Sequence, residues 1–175
     1  MREIDIKNLI ANAVVPGPFT WADFGSGEGA FTVALRELLG PSGTIFSIDK
    51  NAKSLHLQQK TFGEQFLGGN ITFINSDFTD NMRLPKLNGI LMANALHFIQ
   101  DKKIFLEKLK TYMQPSGKLV VVEYNTDTGN PYVPYPLSFA TFQKVALSAG
   151  YKNIQKLATA PSTYWGGMYS AIAKK

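Results

Sequence analysis

A glycine-rich loop is the stretch of this chain whose residue types point most directly to chemistry: Asp23-Phe24-Gly25-Ser26-Gly27-Glu28-Gly29. Gly25 and Gly27 let the backbone approach a ligand because no Cβ stands in the way. A helix that begins near Gly29 would present unpaired N–H groups and the positive end of its dipole, which suit a carboxylate or a phosphate. The shorter pattern Gly25-x-Gly27-x-x-Ala30 also fits dinucleotide-binding loops, so the loop predicts a cofactor without choosing one.

A carboxylate, Asp49, follows the next strand-like run, residues 44–48. A carboxylate at such a position can accept two hydrogen bonds from a ribose diol. Enzymes that bind nicotinamide dinucleotides use the same device, so Asp49 indicates an adenosine ribose rather than one cofactor. The alternative is that Asp49 is the N-cap of the following helix, because Lys50-Asn51-Ala52 leads into it.

Two further carboxylates distinguish between cofactors. Asp23 lies just before the glycines, where it would repel the anionic pyrophosphate of a dinucleotide. S-adenosylmethionine instead carries a sulfonium and an ammonium, which a carboxylate favours. Asp77 follows the third strand-like run and can accept a hydrogen bond from the amine of adenine, with Phe78 against the ring. The alternative for Asp77 is a plain turn residue in Ser76-Asp77-Phe78-Thr79-Asp80.

Alternating strand and helix patterns must position these residues. Strands are predicted at residues 20–24, 44–48, 71–74, 89–93, 118–124, 153–158 and 168–173, and helices at 4–14, 30–39, 52–67, 102–113 and 138–149. The alternation predicts an α/β fold, a doubly wound, mostly parallel seven-stranded sheet with helices on both faces. Only the last two strands are joined without a helix, so the last strand is expected to be antiparallel. Ligands of such sheets bind beyond the carboxyl ends of the strands.

The order and spacing of five motifs resemble class I S-adenosylmethionine-dependent methyltransferases over residues 19–175. The motifs are Asp23-x-Gly25-x-Gly27-x-Gly29, Asp49, Ser76-Asp77-Phe78, the segment 89–97, and Met113-Gln114-Pro115-Ser116-Gly117-Lys118. The likeness is strongest to the small-molecule branch that includes enzymes of the ubiquinone- and menaquinone-biosynthesis type. It implies a Rossmann-like methyltransferase fold.

The resemblance also implies that S-adenosylmethionine is the cofactor. By this resemblance, Asp23, Gly25 and Gly27 would surround the methionine part of the cofactor, and Gly29 of the same loop would also bind the cofactor. Asp49 would hold the ribose and Asp77 with Phe78 the adenine. Asn94 would line the methyl-transfer site. Ser116 departs mildly from the family, which often has glycine there. Asn94-Ala95-Leu96-His97 differs from the Asn-Pro-Pro-Tyr motif of enzymes that methylate amide or adenine nitrogens, so that subclass is disfavoured.

His97 follows the fourth predicted strand and is expected at the mouth of the site. It is the best candidate for a base that deprotonates an acidic hydroxyl or carbon nucleophile. The alternative is a packing histidine at a helix start, with no proton role. The other histidine, His56, falls within a predicted helix and is interpreted as a surface residue.

Aromatic residues in two late loops are candidates for the wall of an acceptor site. Tyr124, Tyr132 and Tyr135 belong to the first loop, and Trp165 belongs to the second. Such rings combine apolar area with a polar handle, so they suit an apolar or aromatic substrate. The alternative is that they pack among themselves or form the contact of a homodimer.

Length and composition limit the number of domains, the kinds of metal site and the location that can be expected. A chain of 175 residues suits a single domain, 1–175, in which residues 1–18 form a leading helix that acts as a lid or covers the sheet. The absence of cysteine excludes disulfides and thiolate metal sites, and no metal site is expected. The sequence has a charged N-terminus and no apolar run of about 18 residues, so neither a signal peptide nor a membrane span is predicted. A cytoplasmic location is therefore expected.

A net charge of +5 arises from 18 basic and 13 acidic residues. Lys102, Lys103 and Lys110 are expected on the solvent face of one helix, which favours an ordinary basic surface over a nucleic-acid site.

The expected function is methyl transfer from S-adenosylmethionine to a small molecule that the sequence does not identify. An NAD(P)-dependent oxidoreductase is one alternative, favoured by the glycine pattern with Asp49 but lacking an evident Tyr-x-x-x-Lys pair. A non-catalytic protein that binds the same cofactor is another, and RNA methylation rests only on the positive charge.

Overall fold

The computed structural model describes residues 3–66, 69–162 and 167–175. Its strands are β1 (Thr20–Phe24), β2 (Thr44–Asp49), β3 (Asn70–Asn75), β4 (Leu87–Ala93), β5 (Met113–Tyr124), β6 (Lys152–Ala160) and β7 (Met168–Lys174). Its α-helices are α1 (Glu3–Ile10), α2 (Ala30–Leu39), α3 (Ala52–Gln65), α4 (Lys102–Tyr112) and α5 (Phe139–Ser148). Two short 3₁₀ turns, Ala11–Ala13 and Leu96–Phe98, follow α1 and β4.

The seven strands form one sheet in the order β3-β2-β1-β4-β5-β7-β6. Strand β7 runs antiparallel to both β5 and β6, while the other neighbouring strands pair in parallel. This arrangement confirms the predicted doubly wound sheet and its antiparallel last strand. The direction of winding reverses between β1 and β4, and a crevice forms at the carboxyl ends of strands on either side of such a point.

Strand β5 shows that the centre of the sheet is covered on both faces. Leu119, Val120, Val121 and Val122 are all fully buried, on both faces of the sheet. A run of β-branched residues without polar alternation is typical of a parallel strand that is covered on both faces. The strand begins at Met113, earlier than predicted, and its pairing with β4 is irregular between Leu87 and Gly89. The predicted turn Pro115-Ser116-Gly117 lies within this irregularity.

Two hydrophobic clusters fill the space on either side of the sheet. Trp21 belongs to the cluster under α1 and α2, and Phe24 belongs to the cluster under α4 and α5. Helix α1 packs against α2 and β6, with an ion pair of 2.8 Å between Lys7 Nζ and Glu37 Oε2. In this structure the leading helix therefore covers a face of the sheet.

The basic residues of α4 are only partly where they were expected. Lys103 is exposed, but Lys102 is largely buried and donates to the carbonyl of Ile99 at 2.7 Å. Burial lowers the pKa of Lys102, although the nearby Glu123 opposes that shift. The prediction of a solvent-facing Lys102 was wrong because its ammonium turns back onto the protein, where it bonds the Ile99 carbonyl and lies 5.7 Å from the centroid of the Tyr135 ring. Nowhere in the described ranges is a helix both long and apolar enough to cross a membrane.

Candidate active site

The glycine loop and the segment after β4 meet at the reversal point of the sheet. Gly25 has a φ of +77°, and a Cβ built there would lie 2.7 Å from the Cβ of Ala95 and 3.1 Å from the ring of Phe78. Any larger residue would collide with both neighbours in a backbone conformation that side chains rarely adopt. Gly25 therefore allows the loops after β1 and β4 to touch, and it brings Phe78 to the same place.

Gly27 occupies a different environment from Gly25. Its φ is +55°, yet nothing lies within 4 Å of a Cβ built on it. Its N–H donates to Asp49 Oδ2 at 2.8 Å, while the preceding N–H groups of Gly25 and Ser26 both donate to the carbonyl of Ile48. The backbone of Gly27 is thus held from within the protein while its outer side is open to a ligand.

Asp23 is buried at the end of β1, where its carboxyl is incompletely satisfied. Thr32 Oγ1 donates to Oδ2 at 2.7 Å, but Oδ1 has no hydrogen-bond partner. Burial raises the pKa of Asp23 to about 7, opposed by the Thr32 hydrogen bond and assisted by the negative charge of Asp49. A cation placed against Oδ1 would favour the ionised form and complete its interactions.

Both carboxylate oxygens of Asp49 accept hydrogen bonds from backbone N–H groups. Oδ2 accepts from Gly27 and Oδ1 accepts from Asn51, each at 2.8 Å. Asn51 is the N-cap of α3, because its side chain accepts from the N–H groups of Lys53 and Ser54. The alternative interpretation of Asp49 as the N-cap was therefore wrong.

Asp77 forms a local turn after β3. Its Oδ1 accepts from both the N–H and the hydroxyl of Thr79, at 2.9 and 2.8 Å. The pKa of Asp77 is lowered, chiefly by the backbone hydrogen bond from Thr79, with Lys50 at 3.4 Å from Oδ2 adding to the effect. Oδ1 of Asp77 therefore serves the turn, as the alternative interpretation expected, while Oδ2 carries only the longer contact with Lys50.

Phe78 packs edge-on against Phe105, with their ring centroids 5.8 Å apart.

Asn94 directly follows β4 in a left-handed backbone conformation with a φ of +51°. Its N–H donates to the carbonyl of Val122 at 2.8 Å, but its side-chain Oδ1 is buried without a partner. Buried acceptors without partners are uncommon and often mark functional sites. The unpartnered oxygens of Asp23 and Asn94 lie on the neighbouring strand ends at which the winding of the sheet reverses.

His97 is a buried residue rather than one at the mouth, so that expectation was wrong. Its side chain is 4% exposed because Glu123, which is fully buried in β5, holds it from two directions. His97 Nδ1 lies 2.8 Å from Oε2 of Glu123, and the His97 N–H donates to Oε1 at 3.1 Å. The pair fixes both the ring and the backbone of His97.

The predicted aromatic residues lie at different distances from this pair. The ring of Tyr124 has its centroid 6.3 Å from that of His97, and the N–H of Tyr135 donates to the His97 carbonyl at 3.0 Å. Tyr132 is 84% exposed. Trp165 lies outside the described residues.

Gln58 lies against the glycine loop and was not predicted from the sequence. It is fully buried in α3 and hydrogen-bonded to Ser26, Ser47 and the carbonyl of Gly27. Its spacing from the buried Leu55 and Phe62 is helical, and this spacing is the signal that could have revealed it.

Among the residues that the structure describes, no group of three or more His, Asp or Glu could hold a metal ion.

The chain belongs to the methyltransferase domain family, whose model matches residues 20–166. This match confirms the resemblance to class I methyltransferases and does not favour the oxidoreductase alternative.

The chain is similar to two curated relatives named ubiquinone/menaquinone biosynthesis C-methyltransferase UbiE. The protein from Hahella chejuensis is 28% identical over 130 residues, which are 71% of this chain and 50% of the relative. The protein from Legionella pneumophila (strain Lens) is 29% identical over 109 residues, 59% of this chain and 42% of the relative. The chain thus spans about half the length of the curated relatives it matches.

Solved structures share the fold along nearly the whole chain. A SAM-dependent methyltransferase from Aquifex aeolicus has a TM-score of 0.72 at 18% identity, with 99% of this chain and 98% of that chain covered. Magnesium protoporphyrin IX methyltransferase from Synechocystis PCC 6803, solved with bound SAM, has a TM-score of 0.70 at 16% identity and coverage of 99% and 77%. These likenesses confirm the predicted Rossmann-like methyltransferase fold.

Proposed function

We propose that this chain transfers a methyl group from S-adenosylmethionine to a small molecule. The observation that carries the proposal is the buried Asp23 oxygen that lacks a partner at the start of the glycine loop. A carboxylate there attracts the ammonium of the cofactor and repels a pyrophosphate. Membership of the methyltransferase domain family supports the same choice.

The residues of the crevice fit this cofactor. Asp23 and the open side of Gly27 suit its methionine part, Gly25 and Gly29 shape the loop, and Asn94 lies at the methyl-transfer position. Asp49 retains lone pairs for a ribose diol, since Oδ2 accepts from the N–H of Gly27 and Oδ1 from the N–H of Asn51. Asp77 Oδ2 and the ring of Phe78 suit the adenine. When bound, the cofactor supplies an electrophilic methyl group on a sulfonium.

His97 serves as the base in this proposal. Glu123 accepts from the Nδ1–H of the ring, so the neutral tautomer presents Nε2 as the proton acceptor. An acidic O–H or C–H of the methyl acceptor gives its proton to Nε2, and Glu123 stabilises the resulting imidazolium. His97→Ala should cut turnover and leave affinity for S-adenosylhomocysteine unchanged. Loss of that affinity would instead remove His97 as a base.

The acceptor is a small apolar or aromatic molecule that lies between the cofactor and the late loops. Tyr124 and Tyr135 support this placement through their contacts with His97. Tyr132 and Trp165 would extend the wall outward. A cytoplasmic location, the absence of a nucleic-acid partner and a homodimer remain predictions of the sequence.

Calorimetric titration with S-adenosylmethionine, S-adenosylhomocysteine and NADPH tests the proposed cofactor. Both adenosyl ligands should bind and NADPH should not. Binding of NADPH without either adenosyl ligand would overturn the proposal. Detection of methyl transfer from labelled S-adenosylmethionine to a panel of phenols and quinols then tests catalysis.

A further inference from the structure

Gln58 stands out because a fully buried amide lies in a helix whose neighbouring residues face solvent. Leu57 and Gln59 are exposed on either side of it. Its Oε1 accepts from Ser47 Oγ at 2.8 Å, and its Nε2 donates to Ser26 Oγ at 2.8 Å and to the carbonyl of Gly27. All of these partners belong to β2 or to the glycine loop.

The three side chains form a closed ring of hydrogen bonds. The hydroxyl oxygens of Ser26 and Ser47 are 2.8 Å apart, and Ser47 has one hydrogen to donate. One assignment satisfies every group: Gln58 donates to Ser26, Ser26 donates to Ser47, and Ser47 donates to Gln58. A buried polar network in which every member is satisfied is rigid, since breaking any one hydrogen bond leaves its buried partner without one.

Gln58 and its ring contact three residues of the loop, Ser26, Gly27 and Gly29. Ser26 is a member of the ring, and the carbonyl of Gly27 accepts the second amide hydrogen of Gln58. A Cβ at Gly29 would lie 2.6 Å from Gln58 Cγ, so the stem of Gln58 packs directly against Gly29. Asp49 meanwhile holds the N–H of Gly27. Residues 26–29 are therefore clamped from the α3 and β2 side, and the open side of Gly27 is the one left for a ligand.

We propose that Gln58 is a positioning residue, which holds residues 26–29 in the shape that binds the cofactor. The proposal rests on the proposed function. Ser47, Ser26 and the carbonyl of Gly27 already use the oxygen and both hydrogens of the Gln58 amide, so Gln58 acts through the loop rather than by touching the ligand. Glycines with positive φ are flexible in isolation, and a loop fixed in its bound conformation loses less entropy when the ligand arrives.

Gln58→Leu tests this role against Gln59→Leu, a matched change at the exposed neighbouring position. Calorimetry gives the Kd for S-adenosylhomocysteine, and thermal unfolding of the ligand-free protein gives the Tm. Gln58→Leu should raise the Kd by about tenfold or more, because the partners of the amide lose their bonds and the loop loses its clamp. Gln59→Leu should leave the Kd within twofold of wild type. A Tm change in Gln58→Leu without a change in Kd would show a purely structural role and overturn the proposal.

Gln58→Glu gives a second readout that a purely structural role would not produce. A carboxylate keeps the acceptor for Ser47 but has no hydrogen for Gly27, whereas a protonated carboxyl regains one donor. The ratio of variant to wild-type Kd should therefore fall between pH 8 and pH 5.5, and titrations shared by both chains cancel in that ratio. A ratio that stays constant while the variant remains folded contradicts the proposal.

Ser47→Ala decides the matter if Gln58→Leu does not fold. It opens the ring but keeps the bond to Gly27, so a smaller rise in Kd, about threefold, is expected. An unchanged Kd would overturn the proposal. Wild-type protein that binds neither S-adenosylhomocysteine nor S-adenosylmethionine would overturn the proposed function and this inference together. Wild-type binding with Gln58→Leu within twofold would overturn only the role of Gln58.

Discussion

Glu123 accepts hydrogen bonds from both the ring and the backbone N–H of His97, with Nδ1 to Oε2 at 2.8 Å and N to Oε1 at 3.1 Å. The two oxygens of one buried carboxylate are thus committed to a single neighbouring residue. Because both partners donate, the site requires two acceptors, which a carboxylate offers and an amide does not.

Glu123→Gln should consequently disturb the site although it preserves shape. Either one hydrogen bond is lost, or the histidine ring changes tautomer so that Nδ1 accepts from the amide. The unfolding free energy should fall by about 1–3 kcal/mol, the usual effect of an unsatisfied buried group. Urea unfolding measures this loss, and ¹⁵N chemical shifts of the imidazole report the tautomer. Glu107→Gln on the exposed side of α4 is the control, and equal behaviour of the two variants would contradict the assigned pair.

Asp23 should make the ligand-free protein less stable as pH rises. Its folded pKa of about 7 lies above the ordinary value of 3.8, so the folded state binds more protons between these limits. The contribution of this group to the free energy of unfolding is fully present below about pH 4 and is lost as pH rises through 7. The loss amounts to up to about 4 kcal/mol, because each unit of pKa difference corresponds to about 1.4 kcal/mol. The difference in unfolding free energy between wild type and Asp23→Asn should therefore fall across this window. A difference that is flat with pH would contradict the buried, uncompensated carboxyl.

Cofactor affinity should depend on pH with the opposite sign. The ionised Asp23 carboxylate favours a cationic ligand, so below pH 7 binding must release a proton from it. Affinity for S-adenosylhomocysteine should rise by up to about tenfold per unit between pH 5.5 and 7 and level off above. Calorimetry at pH 6.5 in two buffers of different ionisation enthalpy counts the released protons. Asp23→Asn should release none, and proton release by that variant would assign the titration to another group.

Asp49→Ala should weaken binding of S-adenosylhomocysteine by about 1–3 kcal/mol, because the ribose diol and the N–H of Gly27 both lose an acceptor. Glu64→Ala, at an exposed position of α3, should bind as wild type does. Calorimetric Kd values compare the two variants. An unchanged affinity in Asp49→Ala would reject its ribose role.

Gly25→Ala and Gly27→Ala should separate stability from binding. A Cβ at Gly25 meets Ala95 at 2.7 Å, whereas a Cβ at Gly27 enters open space. Gly25→Ala should therefore lower stability markedly, while Gly27→Ala should lower it by only about 1–2 kcal/mol, the strain of a left-handed alanine. Gly27→Ala should nevertheless weaken cofactor binding, because the methyl group occupies the open side. Chemical unfolding and calorimetry measure the two effects, and strong binding by folded Gly27→Ala would contradict the placement of the ligand.

The grouping of Asp23, Asp49 and Asn94 at one edge of the sheet could be predicted because each stands at the end of a strand. Parallel strands end at one edge, so sequence order alone brings these residues together. The burial of His97 could not be predicted, since it depends on a carboxylate 26 residues away in the neighbouring strand. The capping role of Asn51 was likewise missed, because Asp49 and Asn51 both satisfy the residue preference of an N-cap.

The buried carboxyl of Asp23 also makes the stability of the folded chain depend on whether a cationic ligand is bound, and we expect the lifetime of the protein to follow. Without a cationic ligand, the ionised group destabilises the folded chain at neutral pH, and a ligand that neutralises it shifts the equilibrium away from unfolded molecules. Proteases act on the unfolded fraction, so that fraction sets the rate of degradation. Molecules that remain without cofactor would accordingly be degraded first.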